Sequence, residues 1–156
     1  VVDPTPMNNW WPAVTVTAAG PVVAWVTSVI VSTSLRMAVW ARQRIGADWV
    51  ELGNSATGTG LGIATVASAV ALATSPHGEP VVAWSDGATL HLRYWTGSAW
   101  SDATELANTN IDCSFVGTAP ALTVRGERVC VAYTAGQDTA SAANFDVHVR
   151  CATPTW

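Results

Sequence analysis

Gly20-Pro21-Val22-Val23-Ala24-Trp25 returns as Glu79-Pro80-Val81-Val82-Ala83-Trp84, and again in altered form as Glu127-Arg128-Val129-Cys130-Val131-Ala132-Tyr133. Self-similarity with a period of about fifty residues marks a repeat architecture, whose units bury their faces only against their neighbours. Each copy follows an apolar-alternating run: Pro12 to Val16, Ser68 to Leu72, and Pro120 to Val124. Each is followed by a third run: Leu35 to Trp40, Leu90 to Trp95, and Val147 to Cys151. A fourth element appears as Asp48 to Leu52 and as Ala99 to Ala103, and has just begun at Thr155-Trp156 where the sequence stops. In this alignment Arg36, His91 and His148 share one strand position, and Arg93 and Arg150 another.

The runs are short, rich in Val, Thr and aromatics, and bounded by Gly, Pro, Asp or Asn, which reads as strands separated by turns. Asp86-Gly87 and Thr96-Gly97 stand where tight turns are needed. The Ala-rich stretch from Gly60 to Thr74 could compete as a helix, but its β-branched residues, glycines and repeat-aligned position predict a loop plus a strand. The expected fold is all-β: four-stranded antiparallel blades, with three repeats forming part of a β-propeller. The chain reads as one repeat domain over residues 1–156, with units at approximately 12–53, 68–106 and 119–156, the last incomplete.

Pro80-Val81-Val82-Ala83-Trp84, a turn, then Leu90-His91-Leu92-Arg93-Tyr94-Trp95-Thr96-Gly97-Ser98-Ala99-Trp100 resembles the blades of bacterial secreted β-propeller repeat proteins of the sialidase-like type. The resemblance covers nearly the whole chain, as two blades and most of a third. It implies the architecture more than an activity, because such blades occur in lectins, glycosidases, adhesins and surface proteins. The Asp-box pattern Ser-x-Asp-x-Gly-x-x-Trp is not met, since Ser85-Asp86-Gly87 has no spacer residue and no Trp at the required distance.

Composition narrows the function classes. The 156 residues are 49% apolar and only 12% charged, a profile of a chain with a core and not of a disordered one. Seven Arg, no Lys and eleven carboxylates give a net charge of −4. Seven scattered cations make a poor surface for nucleic acid, so no nucleic-acid partner is expected. The longest apolar stretch, Leu61 to Ala73, is broken by Gly62, Thr65 and Ser68 and is shorter than the roughly 20 residues of a spanning helix, so no membrane insertion is expected. The opening Val1-Val2-Asp3-Pro4-Thr5-Pro6 has no initiator Met, basic leader or apolar signal core, and reads as a mature or trimmed product.

Nine Trp against two Phe and two Tyr demand an architectural explanation. Trp25, Trp40, Trp49, Trp84, Trp95 and Trp100 occupy repeat positions, where packing between sheets accounts for them; a ring of sugar-stacking platforms is the functional alternative. Trp10 and Trp11 match no repeat slot. On an extended segment adjacent residues point to opposite faces, so at most one of the two is expected to be buried by its own sheet. Function is expected to lie off the repeat, at Trp10, Trp11, His77, Asp138 and Asn144. The segment Ala135 to Asn144 is longer than its counterpart at Asp86 to Thr89, and long loops on rigid scaffolds carry binding.

Catalytic chemistry has little to stand on. The three His fall in separate repeats or turns, so no metal site and no cofactor are expected. The carboxylates Asp48, Glu51, Asp86, Asp102, Glu105, Asp112, Asp138 and Asp146 form no recognisable acid–nucleophile pair. Gly58-Thr59-Gly60-Leu61-Gly62 lacks the Lys and helix start of a phosphate loop.

The three cysteines are Cys113, Cys130 and Cys151. Align the third unit on the second through Trp84/Tyr133 and Leu90/Val147. If the second hairpin pairs Ser85 with Leu90, the same register sets Cys130 opposite Cys151 across two antiparallel strands, where a disulfide can close. A slip of one residue would remove it, leaving a bridge from Cys113 to either partner as the rival. A disulfide implies an oxidising compartment, hence an extracellular or periplasmic location.

Three blades cannot close a ring, and the end faces of a three-unit stack would be left apolar and wet. The expected partners are a second copy, closing a six-bladed ring, or other subunits of a larger assembly, and a third reading makes these residues the ordered or processed part of a longer chain; Pro4 to Trp11 is a candidate for the missing outer strand. The function expected is a non-enzymatic extracellular recognition or assembly module that binds glycan or a protein. A purely structural subunit of a surface complex or fibre is the alternative, and a sialidase-like glycoside hydrolase ranks behind both.

Overall fold

Three antiparallel sheets follow one another along the chain in a computed structural model, which describes residues 8–64, 69–86, 89–102, 104–108, 119–136 and 145–156. The first sheet runs in the order β1 (Asn9–Thr17), β2 (Gly20–Val31), β3 (Ser34–Ile45), β4 (Asp48–Val50), with β5 (Gly62–Ala64) also paired to β3. The second is β6 (Ala71–Thr74), β7 (Pro80–Ser85), β8 (Thr89–Tyr94), β9 (Thr104–Asn108). The third is β10 (Ala121–Arg125), β11 (Arg128–Gly136), β12 (Phe145–Ala152). The expected all-β, antiparallel class is therefore observed. The stretch from Gly60 to Thr74 holds β5 and β6 with no helix among its described residues.

Period-two alternation assigns each strand's faces. In the second sheet Val82 and Trp84, with Leu72, pack against Ala24, Val26, Val39 and Ala41 of the first. On its opposite face Val81, Ala83, Leu90 and Leu92 pack against Val129, Val131 and Tyr133 of the third, with Leu122 and Val124 alongside. The second sheet is thus buried on both sides, which is why β7 is a continuous buried run, Pro80 to Ser85, instead of an alternating one. The two-residue turn between β10 and β11 uses Gly126 at φ +54°, a left-handed geometry in which a Cβ is unfavourable.

Small polar contacts lock the sheets in succession. Thr15 Oγ1 lies 3.0 Å from Thr74 Oγ1, joining β1 to β6. Trp100 Nε1 donates to the Leu52 carbonyl (2.9 Å), and Tyr94 Oη donates to the Thr155 carbonyl while its ring meets Trp156 edge-on at 5.0 Å.

The observed register corrects the alignment of the first unit. Trp25 lies opposite Trp40, Trp84 opposite His91, and Tyr133 opposite His148. Trp40, and not Arg36, therefore shares the slot of His91 and His148; Arg36 is opposite Val29, four residues further along. Among the described residues the first hairpin is paired furthest beyond this slot, out to Val31↔Ser34, so distance from the turn does not set the equivalence. The same shift puts Arg42 in line with Arg93 and Arg150, and Arg44 in line with Trp95. Each aromatic pair is in contact: Trp25–Trp40 edge-on at 6.1 Å, Trp84–His91 stacked at 5.1 Å, Tyr133–His148 stacked at 5.6 Å.

Trp10 and Trp11 depart from expectation as well. Trp10 pairs with Val26 and Ala13 with Ala24, so two residues of β1 oppose one of β2: a β-bulge, with Trp11 at φ +49°. The bulge cancels the alternation, and both half-buried rings pack on the core between the first and second sheets, 6.1 Å apart. Residues 9–11 thus belong to β1, the first sheet's edge strand beside β2, and are not a spare strand for the third unit; Pro4 to Met7 lie outside the described residues. The fourth element of the second unit is also displaced: Trp100 makes a single bridge to Trp95, and regular pairing resumes only at Thr104.

Cys130 pairs with Cys151 in the register and is bonded to it, with Cα atoms 4.1 Å apart, close to the narrow class of antiparallel pairs. Ser85 pairs with Leu90, the register on which the Cys130–Cys151 pairing depends. Cys113 lies outside the described residues.

Candidate functional site

Ser75 Oγ accepts from the backbone N–H groups of His77 (3.2 Å) and Glu79 (3.0 Å), while Ser75 N–H donates to the Glu79 carbonyl at 2.7 Å. Ser75 is buried, so the β6–β7 turn is held from beneath, and His77 stands on it exposed to solvent. Ala18 N–H donates to the Gly78 carbonyl (3.2 Å), tying the turn to the first sheet as well. A turn braced in this way presents its side chains on a fixed backbone.

Opposite this turn the end of β8 supplies Trp95 and Thr96, and the chain end supplies Trp156. Ser75, His77, Glu79, Trp95, Thr96 and Trp156 together line a cavity of about 250 Å³. Trp95 is fixed edge-on against Trp100 at 5.6 Å, and Trp156 against Tyr94. The next turn is closed by Thr96, whose N–H and Oγ1 both donate to the Ala99 carbonyl. The cavity thus combines two tryptophans braced by neighbouring rings with one carboxylate, one imidazole and two hydroxyls.

A second cavity, of about 210 Å³, is lined by Asn9, Trp10, Pro12, Val23 and Trp25 on the outer side of the first sheet. Its walls are almost wholly apolar, and the Asn9 side-chain oxygen is occupied by the Trp25 Nε1–H at 2.9 Å.

The residues predicted from sequence do not converge. His77 lines the first cavity, Trp10 lines the second, and Trp11 packs into the core between sheets. Asp138 and Asn144 lie outside the described residues. Glu79, Thr96 and Trp156 are not among the residues the sequence points to, and Trp95 enters only as one of six repeat tryptophans open to packing or sugar stacking. Trp95 carried a usable signal: in the corrected register its equivalents are Arg44 and Ala152, so this tryptophan departs from the repeat.

The remaining acid–imidazole contact is structural in design. His91 Nε2 lies 2.7 Å from Asp86 Oδ2, and Asp86 Oδ1 accepts the Thr89 N–H at 2.9 Å, so the pair braces its own hairpin while the His91 ring stacks on Trp84. No group of three His, Cys, Asp or Glu suited to a metal occurs among the described residues, and no helix is long and apolar enough to cross a membrane. Compared with protein-family models, with curated proteins and with solved structures, the chain matches none.

Proposed function

We propose that this chain is a non-enzymatic recognition module of the extracellular or periplasmic space, built from three propeller-type blades, and that it binds glycan in the His77–Trp95–Trp156 cavity. The observation that carries the reading is the pairing of two ring-braced tryptophans with Glu79, His77, Ser75 and Thr96 around one concavity. A sugar ring offers an apolar face of C–H groups and an equatorial rim of hydroxyls. Tryptophan takes the first, and the Glu79 carboxylate and His77 imidazole take the second, while the Ser75 and Thr96 hydroxyls hold their own turns. At about 250 Å³ the cavity falls below the roughly 300–1,000 Å³ usual for drug-sized ligands, which fits one terminal sugar unit. Among the described residues a single carboxylate, Glu79, lines it, whereas glycoside hydrolysis uses two, which favours binding over cleavage. Stacked antiparallel sheets at a repeat of about fifty residues support the blade reading, and the Cys130–Cys151 bond supports an oxidising compartment.

The test is a glycan array followed by titration of the best ligand against intrinsic tryptophan fluorescence. Trp156→Ala and Glu79→Gln are each expected to weaken binding at least tenfold, with Trp10→Ala within twofold of the parent chain. No glycan bound by the parent chain, or binding unaltered in Trp156→Ala, would reject the proposal.

A further inference from the structure

The two junctions inside the chain use the same pair of surfaces. Each sheet has a leading face, carrying the aromatic pair, and a trailing face centred on a small residue. The leading face of the second sheet packs on the trailing face of the first, and that of the third on the second. By register, Val14, Leu72 and Leu122 are equivalent leading-face residues, paired with Val23, Val82 and Val131. Val16 and Val124 are likewise equivalent, paired with Pro21 and Val129. Leu72, Leu122 and Val124 pack into the junction cores, yet Val14 and Val16 stand 66% and 70% exposed.

The far end shows the converse. Val147 and Val149 occupy the slots of Leu90 and Leu92 in the second sheet, and of Val39 and Ala41 in the first. Those four are at most 1% exposed; Val147 and Val149 are 74% and 60% exposed. One end of the stack therefore presents a leading face that is open along β1, where Val14 and Val16 stand, while Trp25 and Trp40 beside it are already covered by the chain's own Ala56 and Val29; the other end presents an open trailing face. Strands and side-chain parity match the partners each face has within the chain.

We propose that the trailing face of the third sheet docks on the leading face of the first sheet of a second copy, and that two copies joined by two such contacts close a ring of six sheets. The occupant is identified by continuity with the internal junctions: a second copy carries the complementary face at the right strand parity. Such a contact is heterologous, and it forms a closed ring when the rotation per unit divides the circle. The inference stands independently of glycan binding, since Val147, Val149, Val14 and Val16 line neither cavity described above.

Light scattering of the purified 156-residue chain at tens of micromolar is expected to give twice the mass of the 16.3 kDa chain. Val149→Glu and Val16→Glu each place a charge on an exposed position, so each should fold with an unchanged circular dichroism spectrum and weigh as a monomer. Mixing the two variants restores one intact junction and should return a dimer of opened form, which neither variant makes alone. A monomeric parent chain, or a dimer that survives Val149→Glu, would overturn the proposal. So would failure of the mixture to associate, the result expected if like faces met like.

Discussion

In the first sheet the outer edge of β3 is taken in turn by β4, by the loop around Ser55 and by β5; in the third sheet β12 has no further strand among the described residues and is joined to β11 by Cys130–Cys151. The loop is itself hydrogen-bonded in detail. Ala41 N–H donates to the Ser55 carbonyl (2.8 Å), Ser55 Oγ donates to the Ala41 carbonyl (2.9 Å), and Leu61 N–H donates to the Val39 carbonyl (2.8 Å). Gly60, at φ +57°, makes this approach possible: a Cβ there would come within 2.3 Å of the Val39 carbonyl oxygen. The contrast teaches that an outer strand can be held by pairing on its far edge, as β3 is, or by a covalent bond to its inner neighbour, as β12 is. Only the first satisfies the outer N–H and C=O groups, whose unpaired state invites foreign strands; the second fixes the strand without covering its edge.

The outward faces differ in step with the edges. Trp25 and Trp40 are buried on the outer side of the first sheet, whereas Val147 and Val149 on the outer side of the third are open. Trp25→Ala puts this contrast under the greatest strain. It removes a buried indole and its bond to Asn9, and is expected to lower unfolding free energy in a urea titration by about 3–5 kcal/mol. A loss under about 1 kcal/mol would mean that the first sheet's outer side is no better packed than the third's.

The staple is next in size. Replacing Cys130 and Cys151 together by Ala frees a loop of 21 residues' separation and is expected to cost about 3 kcal/mol. Hydrogen exchange should show the amides of β11 and β12 losing protection while those of β2 and β3 keep theirs. Equal loss in the two regions would show the sheets to be one cooperative unit and erase the distinction drawn above.

The smallest effect belongs to the edge cover. Ser55→Ala deletes a hydroxyl that serves the Ala41 carbonyl and the Leu52 N–H, both in a buried setting, and is expected to cost about 1–3 kcal/mol. Exchange should quicken at Leu52 and Ala41 before it does in the third sheet. Unchanged exchange there would mean that the loop adds cover without holding the edge.

What residue order alone determined is the part governed by local periodicity. Alternating Val and Ala runs, repeated turn residues and the recurrence of Pro-Val-Val-Ala-Trp were enough to place β2, β7 and β11, because period-two alternation and turn chemistry act within a few residues. The disulfide was legible for the same reason: Ser85↔Leu90 and Cys130↔Cys151 obey one hairpin register. The tertiary structure alone decided the rest. The extra length of the first hairpin moved Trp40 into the slot assigned to Arg36, since register follows from which residues are buried together and not from distance to a turn. A bulge at Trp11 turned two adjacent rings onto one core. The His77 cavity gathers a turn, a strand end and the last residue, groups 79 positions apart in the chain, and no local pattern encodes such a meeting. It exists because stacked sheets bring distant turns to a common rim, a consequence of packing that periodicity cannot carry.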